Sequence, residues 1–267
     1  MHPPGTLFPM TKPSDAARGK DPCLDEAALI NPVREAVEVP VAARAILTFA
    51  RPDFLLLCRL AQATAPLRYI WGCEVRLGRW QDRTLTIVAP ALGAPYAAMV
   101  LEKLIVLGAR MILALGWCGS LQPHLGVGSL VLPCAAVPGD GTSRHYVGGE
   151  PEPDPSLYEL LKGRLAAGDT SWHTGRILST DALYRETPGL VRHYQGLGVL
   201  AIDLELAALF AVGRYRRVPV AGLAVVSDEL GTLTWRPGHR LPRFHQARET
   251  ASGIVLAAAA QWEADRV

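Results

Sequence analysis

The chain predicts an α/β fold: a single domain with a mixed, mostly parallel central sheet and helices on both of its faces. Short apolar runs without alternation, such as Met111–Leu115 and Val218–Val226, suit strands buried on both faces. Between such runs lie stretches with helical spacing of apolar residues, and strands that alternate with helices build a largely parallel sheet. With 267 residues, 49% hydrophobic and 19% charged, the chain has ample material for a sizeable core.

Residues 1–37 are rich in Pro, Asp, Lys and Arg without periodicity and read as a loose N-terminal arm, so that the domain proper spans 38–267. Ala45–Phe49 reads as a strand and Pro52–Ala63 as a helix with proline in its first turn. Arg68–Leu77 and Thr84–Val88 read as strands around a turn at Trp80–Asp82. In Pro95–Leu107, Ala98, Val100, Leu101, Leu104 and Ile105 recur at helical spacing, and Gly108 closes the helix.

Ala114–Asp140 organises the chain. The strand Met111–Leu115 enters a glycine-bracketed tight turn, Gly116-Trp117-Cys118-Gly119, and Ser129–Val137 leads on to a polar loop, Asp140–Tyr146. Glycines there either turn the chain or let backbone approach a ligand where a Cβ would clash. Beyond it, helices are expected at Pro155–Ala166, Pro188–Leu197, Leu204–Val212 and Pro242–Glu263, with strands at Thr174–Leu178, Leu200–Ile202 and Val218–Val226.

Lys and Arg total 27 against 25 Asp and Glu, a net charge of +2 that implies neither nucleic acid nor an anionic membrane as partner. No stretch stays apolar for the ~18 residues of a membrane span. The opening MHPPGTLFPMTKPSD lacks the apolar core of a secretion signal. Five cysteines, Cys23, Cys58, Cys73, Cys118 and Cys134, are odd in number and lack metal spacing, which fits a reduced, cytoplasmic chain.

Three carboxylates stand out. Val218–Val226 runs into Ser227-Asp228, and the carboxyl end of a buried parallel strand is where open α/β sheets hold ligands; capping of a helix is the other reading. Asp203 and Glu205 lie in the apolar run Ala201–Phe210. Two positions apart on a helix point about 200° from one another, so the pair cannot serve one surface. One acid can cap the helix, while the other enters interior or cleft and needs a partner such as a substrate diol.

The pattern formed by Gly116, Gly119, Gln122, Pro123, Val127, Gly128 and Val131, followed by Asp140, Gly141, Ser143, His145 and Tyr146, resembles the nucleoside phosphorylase family, particularly its uridine branch. The likeness runs from about Ala45 to the C-terminus. It implies a nucleoside phosphorylase-like fold and cleavage of a nucleoside N-glycosidic bond, with inorganic phosphate as co-substrate, no metal and no organic cofactor. By the same resemblance Asp228 is the general acid toward purine N7, with Ser227 beside it. Asp203, Leu204 and Glu205 match the family's E-M-E segment, Glu205 taking the ribose 2′-hydroxyl and Leu204 packing on the sugar. Ser179, Thr180, Leu183 and Tyr184 fall in the base-lining segment. The uridine branch has no acid at Asp228, and Arg185–Gly189 lacks its uracil-reading Gln and Arg, so a purine-like base is favoured.

The resemblance breaks where phosphate is held. Phe54 stands in place of the first arginine and Ala114 in place of another, and Trp117 replaces a small hydroxyl residue. Trp71 aligns where a neighbouring subunit lends an arginine, leaving Arg51, Arg68, Arg76 and Arg144 as substitutes. Two alternatives follow: a hydrolytic nucleosidase using water, with Trp117 filling the phosphate volume, and a non-catalytic nucleoside-binding module. The family also implies a homo-oligomer, dimer or hexamer, and His2 is a candidate for the 5′-oxygen.

Overall fold

The apolar runs fold as the strands they predict, in a computed structural model that describes residues 26–263. Strands β1 (Arg44–Thr48), β4 (Arg83–Ala89), β5 (Met111–Ser120) and β9 (Val220–Glu229) are buried along most of their length. Around them lie β2 (Pro66–Ile70), β3 (Cys73–Trp80), β6 (Leu130–Gly139), β7 (Trp172–Thr180), β8 (Ala201–Asp203) and the short β10 (Arg236–Pro237). The helices are α1 (Arg51–Leu60), α2 (Ala94–Leu107), α3 (Pro155–Ala166), α4 (Pro188–Gly196), α5 (Leu206–Arg216) and α6 (Pro242–Gln261). All but α5 carry proline in the first turn, where no intrahelical N–H is lost.

The strands follow the order β10-β9-β6-β7-β8-β5-β1-β4-β3-β2, and β9 also pairs with β5. Strands β5, β9, β6, β7 and β8 therefore close into a ring, a feature that strand prediction does not contain. Pairings β1/β4, β1/β5, β5/β9, β6/β7 and β7/β8 are parallel, while the ring closures β5/β8 and β6/β9 and the β2–β3–β4 hairpins are antiparallel. One face of the sheet packs on α2 and α5 and the other on α1, α3 and α6, giving two core layers. Helix α5 is buried through Leu206–Gly213, as an all-round apolar helix must be.

Two expectations change. The run Arg68–Leu77 is two strands, reversed at Trp71 (φ 46°) and Gly72 (φ 92°), positive at both positions as a tight hairpin requires. Gly116–Gly119 is not a turn: β5 runs straight through it, and the chain reverses after Ser120, with Gly128 at φ 89°. Those two glycines serve close approach instead. A Cβ on Gly116 would lie 2.8 Å from the Phe49 ring, and one on Gly119 would meet Leu230 at 3.0 Å and Asp228 Oδ2 at 3.2 Å.

The N-terminal arm is described from residue 26 onward. Its residues 26–37 contain no helix or strand, but the part next to the domain is tethered: Lys103 Nζ donates to Val33 O and Glu38 Oε2, both at 2.7 Å, and Arg68 pairs with Glu38 at 2.6 Å. His2 and Cys23 lie outside the described residues.

Candidate active site

Strand β8 hands the chain to α5, and its last residue settles which of the two neighbouring acids caps. Asp203 Oδ2 accepts from the backbone N–H of Leu206 (2.8 Å) and Glu205 (3.2 Å), and Oδ1 accepts from Ser179 Oγ (2.5 Å). Ser179 Oγ in turn accepts from Ala207 N at 2.9 Å. Asp203 and Ser179 are thus spent on fixing the start of α5, where a carboxylate also suits the dipole. Of the two acids, Asp203 is thus the one that caps the helix.

Glu205 is the other acid, and it is 3% exposed. Its Oε1 accepts from Gly93 N at 2.7 Å, and Oε2 makes no hydrogen bond among the described residues. Burial pushes its carboxyl above the usual range, and the nearby Asp203 charge pushes it further. Gly93 follows β4, while β8 pairs with β5. Because β1 lies between β4 and β5, the Glu205 carboxylate spans the carboxyl end of β1. Leu204 beside it is half-buried.

Asp228 sits at the carboxyl end of β9, half-buried and opposite Gly119 in register. Its Oδ1 accepts from Ser227 Oγ (2.6 Å) and its Oδ2 from Trp235 Nε1 (3.0 Å), so two donors fix its orientation. Ser227 Oγ also lies 3.2 Å from Cys118 O. Gly119 pairs on its other edge with Ile202, three residues before Glu205. The ends of β8 and β9 that carry the two acids therefore flank one glycine. Cys118 between them is fully enclosed, its thiol raised well above normal by burial, then by Asp203 and Asp228.

A further carboxylate, one that sequence reasoning passed over, lies within electrostatic reach of Asp228. Glu186, half-buried after the turn Leu183–Arg185, is pushed up to about 7, first by burial and then by the charge of Asp228. That turn leads into α4, whose Gln195 Nε2 donates to Gly231 O at 2.7 Å and so fastens the segment to the strand end bearing Asp228. Of the expected base contacts, Thr180 Oγ1 accepts from Ala182 N (3.2 Å), an ordinary local turn. Leu183 is half exposed and Tyr184 is 96% exposed, so Tyr184 is no wall of a cleft within this chain. The loop Asp140–Tyr146 is held by Asp140 accepting from Thr142 N, Ser143 N and Ser143 Oγ, a structural use of that motif.

Trp117 lies two residues past Leu115, the last β5 partner of β1, so it stands over the turn from β1 into α1. Its Nε1 donates to Asp53 Oδ2 at 2.5 Å, and Arg248 Nε on α6 donates to Asp53 Oδ1 at 2.5 Å. The Arg248 guanidinium lies 5.5 Å from the Trp117 ring centre, and Phe244 meets that ring edge-on at 5.0 Å. Phe54 is fully buried. Arg51 and Arg76 both pair with Glu74, and Arg68 with Glu38, so none of these three stands unengaged. Among the described residues, no group of three His, Cys, Asp or Glu side chains is placed to hold a metal ion.

Residues 44–260 match the family described as the Phosphorylase superfamily. The chain belongs to this family. A guanosine phosphorylase of Halorubrum lacusprofundi is 33% identical over 148 residues, 55% of this chain and 61% of that protein's length. A uridine phosphorylase of Haemophilus influenzae is 27% identical over 202 residues, 68% of this chain and 78% of that one. The fold matches a purine nucleoside phosphorylase of Toxoplasma gondii, solved with immucillin-H, at a TM-score of 0.78 and 19% identity, covering 85% of this chain and 98% of that one. The Vibrio fischeri uridine phosphorylase gives a TM-score of 0.77 at 22% identity, covering 84% of this chain and 95% of that one. In this chain Asp53, Trp117 and Arg248 form one hydrogen-bonded cluster.

Proposed function

We propose that this phosphorylase-superfamily chain cleaves the N-glycosidic bond of a nucleoside, with a purine-like base favoured. Breaking a ribosyl C–N bond builds positive charge on the sugar and negative charge on the base. Asp228 supplies the proton that neutralises the base, an action worth ~10²–10⁴ in rate. Glu205 accepts hydrogen bonds from the ribose diol through its unengaged oxygen, and Leu204 packs on the sugar.

The observation that carries this reading is that the ends of β8 and β9, one leading to Glu205 and the other bearing Asp228, flank Gly119, with Glu205 enclosed and Asp228 half-buried. The relatives' activities toward guanosine and uridine support the substrate class. Glu186, an acid where a uracil-reading amide is expected, supports the purine side. Tyr69, Trp71 and Met99, apolar side chains left exposed, support a homo-oligomer. The proposal needs no metal or organic cofactor, and it takes the chain as cytoplasmic.

Incubation with purine and pyrimidine nucleosides, with and without inorganic phosphate, tests it by release of free base. Release of purines in either condition is the expected result. No release from any nucleoside, with a raised melting temperature on adding one, points instead to a binding module.

A further inference from the structure

We propose that Asp53 is an internal anion occupying the place where phosphate would enter, so that the nucleophile in this chain is water. The inference rests on the glycosidic reading above and concerns only what attacks the sugar.

The start of α1, at the carboxyl end of β1, is the natural anion site beneath Glu205: helix N-termini present N–H groups and positive dipole to an anion. In this chain the dipole already faces the Asp53 carboxylate of the first turn, and Pro52 has no N–H to offer. Asp53 N and Phe54 N both bond Ala50 O, at 3.1 and 3.2 Å. The Asp53 carboxylate sits in the first turn of α1, 1% exposed, with Arg248 on one oxygen and Trp117 on the other. Arg51, the remaining cation of the turn, is drawn off to Glu74 at 3.4 Å.

Bringing a phosphate dianion beside the Asp53 carboxylate sets like charges together in a desolvated place. It also requires either breaking the Arg248 pair or moving the Trp117 indole. A neutral water meets neither obstacle. Thr48, the last residue of β1, offers a fully buried hydroxyl with no partner among the described residues. By strand alternation it projects to the same face as Ile46, whose core layer holds Phe54 and includes Trp117 at its margin. A water has a hydrogen-bonding group there, whereas Arg248 and Arg51, the cations on α6 and at the start of α1, are paired with Asp53 and Glu74.

The step balances without a further reactant. The C1′–N bond breaks and its electron pair leaves with the base, which takes the proton of Asp228. Water oxygen forms the C1′–O bond, and the proton it sheds returns through solvent to the Asp228 carboxylate. The products are free ribose and free base.

Two measurements decide the question. Base release by the wild-type chain is followed with and without inorganic phosphate, identifying the sugar product. Independently of turnover, inorganic phosphate is titrated calorimetrically into the wild-type chain and into a Trp117→Ser, Asp53→Ser double variant. We expect equal rates in both conditions, free ribose as product and no saturable phosphate binding by the wild type. The double variant, with Arg248 released, should bind phosphate at least ~10-fold more tightly, the value of one charge-assisted hydrogen bond. Base release that requires phosphate, ribose 1-phosphate as product, or saturable phosphate binding by the wild type overturns the inference and leaves the glycosidic reading standing. Failure to release base from any nucleoside overturns that reading, and the calorimetry still decides whether the wild type takes phosphate.

Discussion

Replacing Asp228 by Asn removes the proton the departing base needs while keeping size and position almost unchanged. The structure sets the accompanying loss. Asn can still accept from Ser227 Oγ through its carbonyl, but its amide then faces Trp235 Nε1, donor against donor, so one of two anchoring contacts goes. A neutral contact of that kind is worth ~1 kcal/mol, about fivefold in affinity. Loss of the acid costs ~10²–10⁴ in kcat, equivalent to ~3–5 kcal/mol of barrier. Steady-state kinetics of base release, together with substrate affinity from a thermal-shift titration, separate the two. Trp235→Phe is the control, because it deletes the same anchoring contact and leaves the acid; about fivefold is expected there. Equal losses of turnover and affinity in Asp228→Asn, or a Trp235→Phe loss as large as that of Asp228→Asn, refute the acid role.

Other perturbations test the remaining parts of the site. Glu205→Gln should lower kcat/KM by ~10–150-fold, the worth of a charged hydrogen bond to the diol, with most of the change in KM. Because the Glu205 carboxyl is raised in the folded chain, its contribution to stability is lost as pH rises above the ordinary glutamate range. Melting curves should therefore favour Glu205→Gln over wild type increasingly toward alkaline pH, and a constant difference counts against a buried acid. Glu186, raised from 4.5 to about 7, contributes stability that is complete below 4.5 and gone above 7. Glu186→Gln should flatten the fall of melting temperature across that window, and an unchanged slope would place Glu186 in solvent. Arg248→Met strands the enclosed Asp53 carboxylate at a cost of ~3–5 kcal/mol by denaturant unfolding, whereas Arg248→Met with Asp53→Leu should recover most of it. A double variant no better than the single one would show that the pair is not the source of the loss.

The helices and most strands were legible because each keeps one local signal: a proline in the first turn, a run of apolar residues of strand length, a closing glycine. Asp228 and Glu205 were legible for a different reason, since charge inside an apolar run is costly enough to demand a purpose. What escaped was long-range. Arg248 lies 195 positions from Asp53, and its burial follows only from how α6 packs beside α1. Glu186 carries no signal of its own in the sequence, and the fastening of α4 to Gly231 ties its segment to the strand end bearing Asp228. Gly116–Gly119 misled because glycine is equally at home in a turn and in a crowded strand. The ring Phe49 and the carboxylate Asp228 that crowd these glycines come from β1's end and from β9.

That crowding connects the fold to the chemistry. Strand β5 pairs with three others, β1, β8 and β9, and it exchanges β1 for β8 between Leu115 and Gly119. Where β1 leaves, Glu205 reaches from the start of α5 to Gly93, and Trp117 reaches Asp53 in the first turn of α1. A larger residue at Gly119 would press on Asp228 Oδ2 and on Ile202 together, displacing both strand ends that carry the acids. The site's geometry therefore depends on a position with no functional group at all. Gly119→Ala should depress turnover well beyond its effect on the melting temperature, because tenths of an ångström at that point move donor and sugar anchor in opposite directions. Proportionate losses of stability and rate would instead make Gly119 an ordinary packing residue and loosen the link drawn here between ring closure and catalysis.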